Sequence, residues 1–254
     1  MAEVRFDGSH LIRNHDGMSD SPFADMPPPP PEPRKMEKLP SGAVLAFVPH
    51  PDDEIAGPGG ALCMHRRQGD PVRVTVATDG QAGDPDRKHD ASSFGALRRD
   101  ETRSGLAEIG IHDVQFWGFP DGQVLSESDL NMGLEKAIAT LETTKPDIVY
   151  LPWELEGHPD HHALYHIVVR ALAAVDFAGV ALGYEVWNAM VPDFVLDISE
   201  VMPAKLAALE RFPSQLDYSR FDNCIVGLNM YRSLVHGAGH GHWEAYRVVR
   251  GKID

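Results

Sequence analysis

With only two cysteines in 254 residues, Cys63 and Cys224, the chain cannot build a disulfide framework, so its fold must rest on a buried core. Cys63 falls in a helical pattern and reads as a buried thiol, and a reducing, cytoplasmic compartment is the expectation. Positive charge is scarce too: 23 Lys and Arg face 38 Asp and Glu, for a formal charge of −15. That balance disfavours phosphate-backbone contacts and anionic membrane surfaces, so neither nucleic acid nor membrane is an expected partner. No apolar run is long enough to span a bilayer, and the start of the chain lacks the apolar core and small-residue cleavage site of a signal peptide.

Proline is unevenly spread. Eight of the twenty prolines lie in residues 1–40, five of them in the run Pro27 to Pro31, a composition that favours extended, solvated polyproline II. Residues 1–40 are therefore expected to form an extended arm. Phe6, Leu11, Ile12 and Phe23 would anchor it across the domain or a neighbouring subunit of a homo-oligomer. The remaining stretch, 41–254, with 43% hydrophobic residues in the chain as a whole, suffices for one core and one catalytic domain.

Within that domain, Ala43 to Val48 is a short, nearly unbroken apolar run bounded by Gly42 and Pro49, the pattern of a strand buried on both faces. Directly after it come His50-Pro51-Asp52-Asp53-Glu54, so ligand-type side chains appear where a strand ends, which is where sites lie in open α/β sheets. An imidazole from His50 and a carboxylate from Asp53 suit Zn²⁺ or a similar first-row ion better than Ca²⁺ or Mg²⁺. Asp52 is then left over as a base. Two adjacent carboxylates repel when ionised and unpaired, and a nearby cation relieves that repulsion.

The pattern recurs. Asp147 to Pro152 reads as a second buried strand, followed by Gly157-His158-Pro159-Asp160-His161-His162. His161 can complete a set with His50 and Asp53, giving two imidazoles and one carboxylate with room for water, as in a catalytic zinc site. His158, three residues earlier, shares a helical face with His161 and serves as an electrostatic partner. Asp160 can hydrogen-bond an imidazole and fix its tautomer. His162 and His166 read as ordinary residues of the following helix.

These two motifs, Pro49-His50-Pro51-Asp52-Asp53-Glu54 and His158-Pro159-Asp160-His161, together resemble the LmbE/PIG-L family of zinc-dependent N-acetylglucosamine deacetylases, over about residues 42–167. The resemblance implies an α/β fold, a Rossmann-like three-layer sandwich with a mostly parallel sheet flanked by helices. It also implies removal of an N-acetyl group from a GlcNAc-type sugar. Its motif positions make His50, Asp53 and His161 the metal ligands, Asp52 the general base and His158 the stabiliser of the oxyanion or leaving amine. Arg98 and Asp121 fall at the family's substrate-binding positions, where Arg98 would clamp hydroxyls through its fork of donors and Asp121 would bind vicinal hydroxyls bidentately. Fe²⁺ is a second candidate for the ion. Thiol-biosynthesis glycosides, glycopeptide sugars and chitin-type sugars all remain open as substrates. Two rival readings are a divalent-metal-dependent glycosyltransferase, which predicts Mg²⁺ or Mn²⁺ and a nucleotide, and a sugar-binding protein with a degenerate site, which predicts binding without turnover.

Elsewhere, apolar runs predict strands at Val72 to Thr78 and Val114 to Trp117. Periodicity predicts helices at Ala61 to Arg67, 97–110, 128–144 and 158–175. Trp117 and Phe119 are candidates for a sugar-stacking wall. Beyond the second motif, 184–188 and 194–197 alternate like strands of an edge or cap, and helices are expected at 199–212 and 222–234. Residues 184–254 are thus expected to be a variable cap that sets substrate choice. His236, His240 and His242 sit among glycines, which favours a mobile loop over a second metal site because glycines hold ligand geometry poorly.

Overall fold

The computed structural model describes residues 30–122 and 125–253. Among these described residues eight strands form one sheet: β1 (Arg34–Met36), β2 (Val44–Val48), β3 (Val72–Thr78), β4 (Asp113–Phe119), β5 (Ile148–Pro152), β6 (Val180–Tyr184), β7 (Phe194–Asp197) and β8 (Trp243–Arg250). Their spatial order is β1-β7-β8-β6-β5-β2-β3-β4. Every pairing is parallel except those of β8, which runs antiparallel to both β6 and β7. The helices are α1 (Asp53–Ala56), α2 (Gly59–Arg67), α3 (Ala91–Glu108), α4 (Glu127–Thr144), α5 (Pro159–Ala174), α6 (Met202–Leu209), α7 (Pro213–Leu216) and α8 (Phe221–His236).

Side chains alternate along a strand, so a strand with no exposed position must feed two cores. On β2, Val44, Ala46 and Val48 enter one cluster with residues of α1, α2, α3 and α6. Leu45 and Phe47 enter the other, with α4 and α5. Tyr150 and Val149 of β5 divide in the same way. The result is three layers, with both sheet faces covered, as the nearly continuous apolar runs require.

The chain order fixes where a site can lie. From β2 the sheet grows through β3 and β4 on one side, while β5 adds on the other. The loops after β2 and β5 therefore leave their strands in a crevice at a topological switch point, the place where α/β sheets bind ligands. These loops carry His50 to Glu54 and His158 to His161.

Three expectations are corrected. The stretch 184–254 is no cap on the sheet: β7 and β8 lie within it, between β1 and β6. The predicted strand at 184–188 is displaced, since Tyr184 ends β6 and Val186 to Asn188 form the loop beyond. The arm boundary at residue 40 falls too late, because Arg34–Met36 pairs with Phe194–Leu196 as a short edge strand, and charged edge strands carry no apolar signature. The expected anchors Phe6, Leu11, Ile12 and Phe23 lie outside the described residues. A buried ion pair braces the α1–α2 corner. The Lys205 ammonium, fully buried, donates to Glu244 at 2.7 Å and to the carbonyls of Ala56 and Gly57 at 3.1 and 3.2 Å. Glu244 in turn accepts the free N–H groups of Gly60 and Ala61 in the first turn of α2, the groups a helix start leaves unpaired.

Candidate active site

The loop after β2 turns sharply. Asp52 takes φ 115° and ψ −30°, a backbone region that costs a non-glycine residue about 1–3 kcal/mol and is found where structure around it enforces it. Here the enforcement is visible. The Asp52 N–H donates to the buried Glu54 carboxyl at 2.9 Å, and the Asp52 carboxylate accepts from Arg98 Nη2 at 3.0 Å. Arg98 also donates to the Pro51 carbonyl. Gly80 gives the guanidinium room, since a Cβ there would stand 3.0 Å from Arg98 Nε with φ already at +68°.

His50, Asp53 and His161 meet at one oxygen. Asp53 Oδ2 lies 3.1 Å from His50 Nδ1 and 3.1 Å from His161 Nε2. Each imidazole has a carboxylate at its back. His50 Nε2 is 3.0 Å from Asp160 and 3.2 Å from Asp121, and His161 Nδ1 is 3.2 Å from Glu156. A ring that gives its back N–H to a carboxylate keeps a lone pair in front, so one lone pair from each ring is directed at the same anionic oxygen. Fully buried His161 has no aligned hydrogen bond at either ring nitrogen, although carboxylates stand close by. The donor set fits a cation: neighbouring ligands of a tetrahedral ion with bonds of 2.0–2.1 Å are about 3.3 Å apart. Nitrogens of His50, His158 and His161 lie within 4.8 Å of one another, as do donor atoms of His50, Asp121 and Asp160. Among the described residues, His240 and His242 belong to no such group.

The electrostatics state the same demand for positive charge. Burial by itself would lower His50, but Asp121, Asp160 and Asp53 outweigh it and raise the imidazole well above its ordinary range. His161 rises to about 9 against burial, through Asp53 and Glu156. Burial would raise Asp53, yet the facing His161 and His50 hold it far below the usual carboxylate range. Asp52 behaves differently: burial pushes it up to about 6, Arg98 opposing and Asp53 adding to the rise.

His158 caps α5. Its Nδ1 accepts the Asp160 N–H at 3.2 Å, so the neutral ring carries its proton on Nε2. Burial and the neighbouring imidazoles lower its pKa and favour that neutral form. Pro159 at the first helical position is preorganised for the turn.

All eight expected site residues come to this one region, though not all in the expected posture. Asp121 was expected to grip two hydroxyls, but its Oδ1 faces His50 and its Oδ2 accepts the Ala82 N–H at 2.8 Å, which leaves no free pair of oxygens. Arg98 is 2% exposed and spends Nη2 on Asp52 and Pro51, while Nε and Nη1 make no hydrogen bond. Trp117 and Phe119 form no stacking wall; they pack in the core against Phe47 and each other. Two residues escaped the sequence reading. Glu156, fully buried, backs His161 and accepts from the N–H groups of Val186 (2.7 Å), Trp187 (3.0 Å) and the Trp153 indole (3.1 Å). Its only signal was a carboxylate two residues before His158. Trp187 lines the pocket beside His158, ring centroids 6.0 Å apart, and its sequence context gave no hint of this.

Fold and site together define a Rossmann-like α/β protein with a candidate metal centre at the carboxyl edge of a mostly parallel sheet. The chain belongs to the PIG-L family, described as GlcNAc-PI de-N-acetylase, which it matches over residues 45–172. It is 31% identical to a probable N-acetyl-alpha-D-glucosaminyl L-malate deacetylase 2 of Bacillus cereus, across 68% of this chain and 84% of that one. It is 28% identical to the diacetylchitobiose deacetylase of Thermococcus kodakarensis, across 82% and 83%. The N,N'-diacetylchitobiose deacetylase structure from Pyrococcus horikoshii shares its fold, with a TM-score of 0.70 at 22% identity over 82% of this chain and 83% of that one. Among the described residues no helix is long and apolar enough to cross a membrane.

Proposed function

We propose that this chain is a metal-dependent hydrolase that removes the N-acetyl group from a GlcNAc-type sugar or glycoconjugate. The observation that carries the reading is the convergence of His50 Nδ1, Asp53 Oδ2 and His161 Nε2, with Asp52 beside them and bound to none. The names of the relatives favour the same chemistry, and two imidazoles in the donor set speak against a Mg²⁺-type glycosyltransferase site.

His50, Asp53 and His161 would hold Zn²⁺, or Fe²⁺ in its place, which supplies Lewis acidity toward the acetyl carbonyl and lowers the pKa of bound water to about 7. Asp52 is the base. Burial raises its carboxyl above the ordinary carboxylate range, which makes it a better acceptor for the proton of the attacking water, and it then returns that proton to the departing amine. The bond from water oxygen to the acetyl carbon forms, the C–N bond breaks, and acetate and a free amino sugar leave. Arg98 fixes the Asp52 carboxylate in place, while Asp160 and Asp121 fix the His50 ring. His158 offers its Nε2–H to the carbonyl oxygen as that oxygen gains charge, a contribution typically worth about 10²–10³ in rate for one such donor.

Metal-loaded protein is expected to release acetate from N-acetylated sugars. Asp52→Asn should keep its metal content and lose activity, whereas His161→Ala should lose the metal. Full activity in Asp52→Asn, or unchanged metal content in His161→Ala, would contradict the assignment.

A further inference from the structure

The pocket beside the candidate metal centre is small, and most of its lining residues carry charged or polar side chains. Its volume is about 250 Å³, below the ~300–1,000 Å³ of pockets that enclose a drug-sized ligand. It has room for one sugar ring and leaves anything attached to that ring outside. At the rim stands Trp187, 65% exposed, the one tryptophan, tyrosine or phenylalanine in the pocket lining among the described residues. The three other tryptophans are buried.

The backbone that carries this exposed indole is held in place. The Trp187 N–H donates to Glu156, which also accepts from Val186 and from the Trp153 indole. The same Trp153 N–H reaches the Asn188 carbonyl at 2.9 Å, and the Asn188 amide donates to the Leu155 carbonyl at 2.7 Å. The loops after β5 and β6 are thus clamped together, and Leu155, on the first of them, is itself 60% exposed. Backbone fixed and ring free is the arrangement of a preorganised contact surface, because little entropy remains to be lost when a ligand arrives. Aromatic rings of this kind supply large contact area with few rotatable bonds.

We infer that Trp187 is a platform for a second pyranose ring, so that the preferred substrate is a disaccharide whose N-acetylated ring enters the pocket while its neighbour lies on the indole. This rests on the deacetylase reading and adds the substrate class to it. The apolar C–H face of a pyranose covers the exposed indole, and its hydroxyls stay in water.

The test measures acetate release from N-acetylglucosamine and from N,N'-diacetylchitobiose by the metal-loaded full chain and by its Trp187→Ala and Trp187→Phe variants. In Trp187→Ala the ratio of kcat/KM for disaccharide over monosaccharide should fall roughly tenfold, through KM, with Trp187→Phe keeping most of it. Because Trp187 is the one exposed indole, tryptophan emission of the Asp52→Asn protein should also shift with added disaccharide, and the shift should vanish when Trp187→Phe is added. An unchanged ratio, or an unchanged emission at saturating disaccharide, overturns the platform while leaving the deacetylase reading intact. Acetate from neither sugar overturns the disaccharide inference, and the deacetylase reading falls with it only if a panel of other N-acetylated glycosides also releases none.

Discussion

Replacing Glu156 by glutamine tests whether a residue outside both sequence motifs holds the centre together. The carboxylate is buried, accepts three N–H groups at 2.7–3.1 Å and stands 3.2 Å from His161 Nδ1. Glutamine has the same shape, but one acceptor becomes an NH₂. Oε1 serves Trp153 and Val186, while Oε2 serves Trp187 and His161, so either amide orientation sets donor against donor. A hydrogen bond to a charged group contributes roughly 1.5–3 kcal/mol. Losing one, with its partner left buried, should destabilise the chain by about 2–4 kcal/mol. Removing the carboxylate behind a ligating imidazole typically costs about 10–100-fold in metal affinity. Urea unfolding gives the first quantity and competition with a chelator of known affinity the second. Should Glu156→Gln unfold within 1 kcal/mol of the unaltered chain and bind metal as tightly, the buttress has been misread.

Further outcomes follow from the same contacts. Lys205→Met strands the buried Glu244 charge with only the Gly60, Ala61 and Tyr246 donors; a loss of about 3 kcal/mol is expected, the low end for a broken buried pair, and urea unfolding that shows less than 1 kcal/mol would refute it. Asp70 is buried, and although burial pushes its carboxyl up, hydrogen bonds from Gln68, Ser41 and His65 hold it down at about 2. A folded pKa below the unfolded value of about 3.9 gives stability that is present above pH 4 and lost as pH falls toward 2. Asp70→Asn should therefore cost about 2 kcal/mol at pH 7, with the gap to the unaltered chain closing between pH 4 and 2, as equilibrium unfolding at several pH values would show. Arg98→Lys replaces the planar guanidinium whose Nη2 serves both Asp52 and Pro51 with a shorter, freely rotating ammonium, and should lower kcat more than it raises KM; a pure KM effect would return Arg98 to the role of substrate clamp.

Much of this was written into the sequence because the physics was local. β2 and β5 announce themselves as short apolar runs closed by proline, with ligand-type side chains in the loops that follow, so the fold class could be read before any coordinates and the grouping of His50, Asp53 and His161 could be proposed. What was hidden depends on distant partners. β8 contains Glu244 and Arg247, charges that read as surface until Lys205, from α6, is seen to pair with the first. β1 is Arg-Lys-Met, an edge strand with no apolar face to detect. Trp117 and Trp187 look alike as letters, yet one lies in the core and the other stands in solvent, a difference set by which loops Glu156 ties together. Asp121 sits where the resemblance put it, but His50, from the loop after β2, claims its carboxylate.

The central claim is that one ion sits where His50, Asp53 and His161 converge. Anomalous scattering from crystals of the metal-loaded protein, recorded at the zinc edge, locates that ion directly. The account predicts a single strong peak bonded to His50 Nδ1, Asp53 Oδ2 and His161 Nε2, with Asp52 unbound; a peak bonded to Asp52, or one on His158 that leaves Asp53 free, would contradict it.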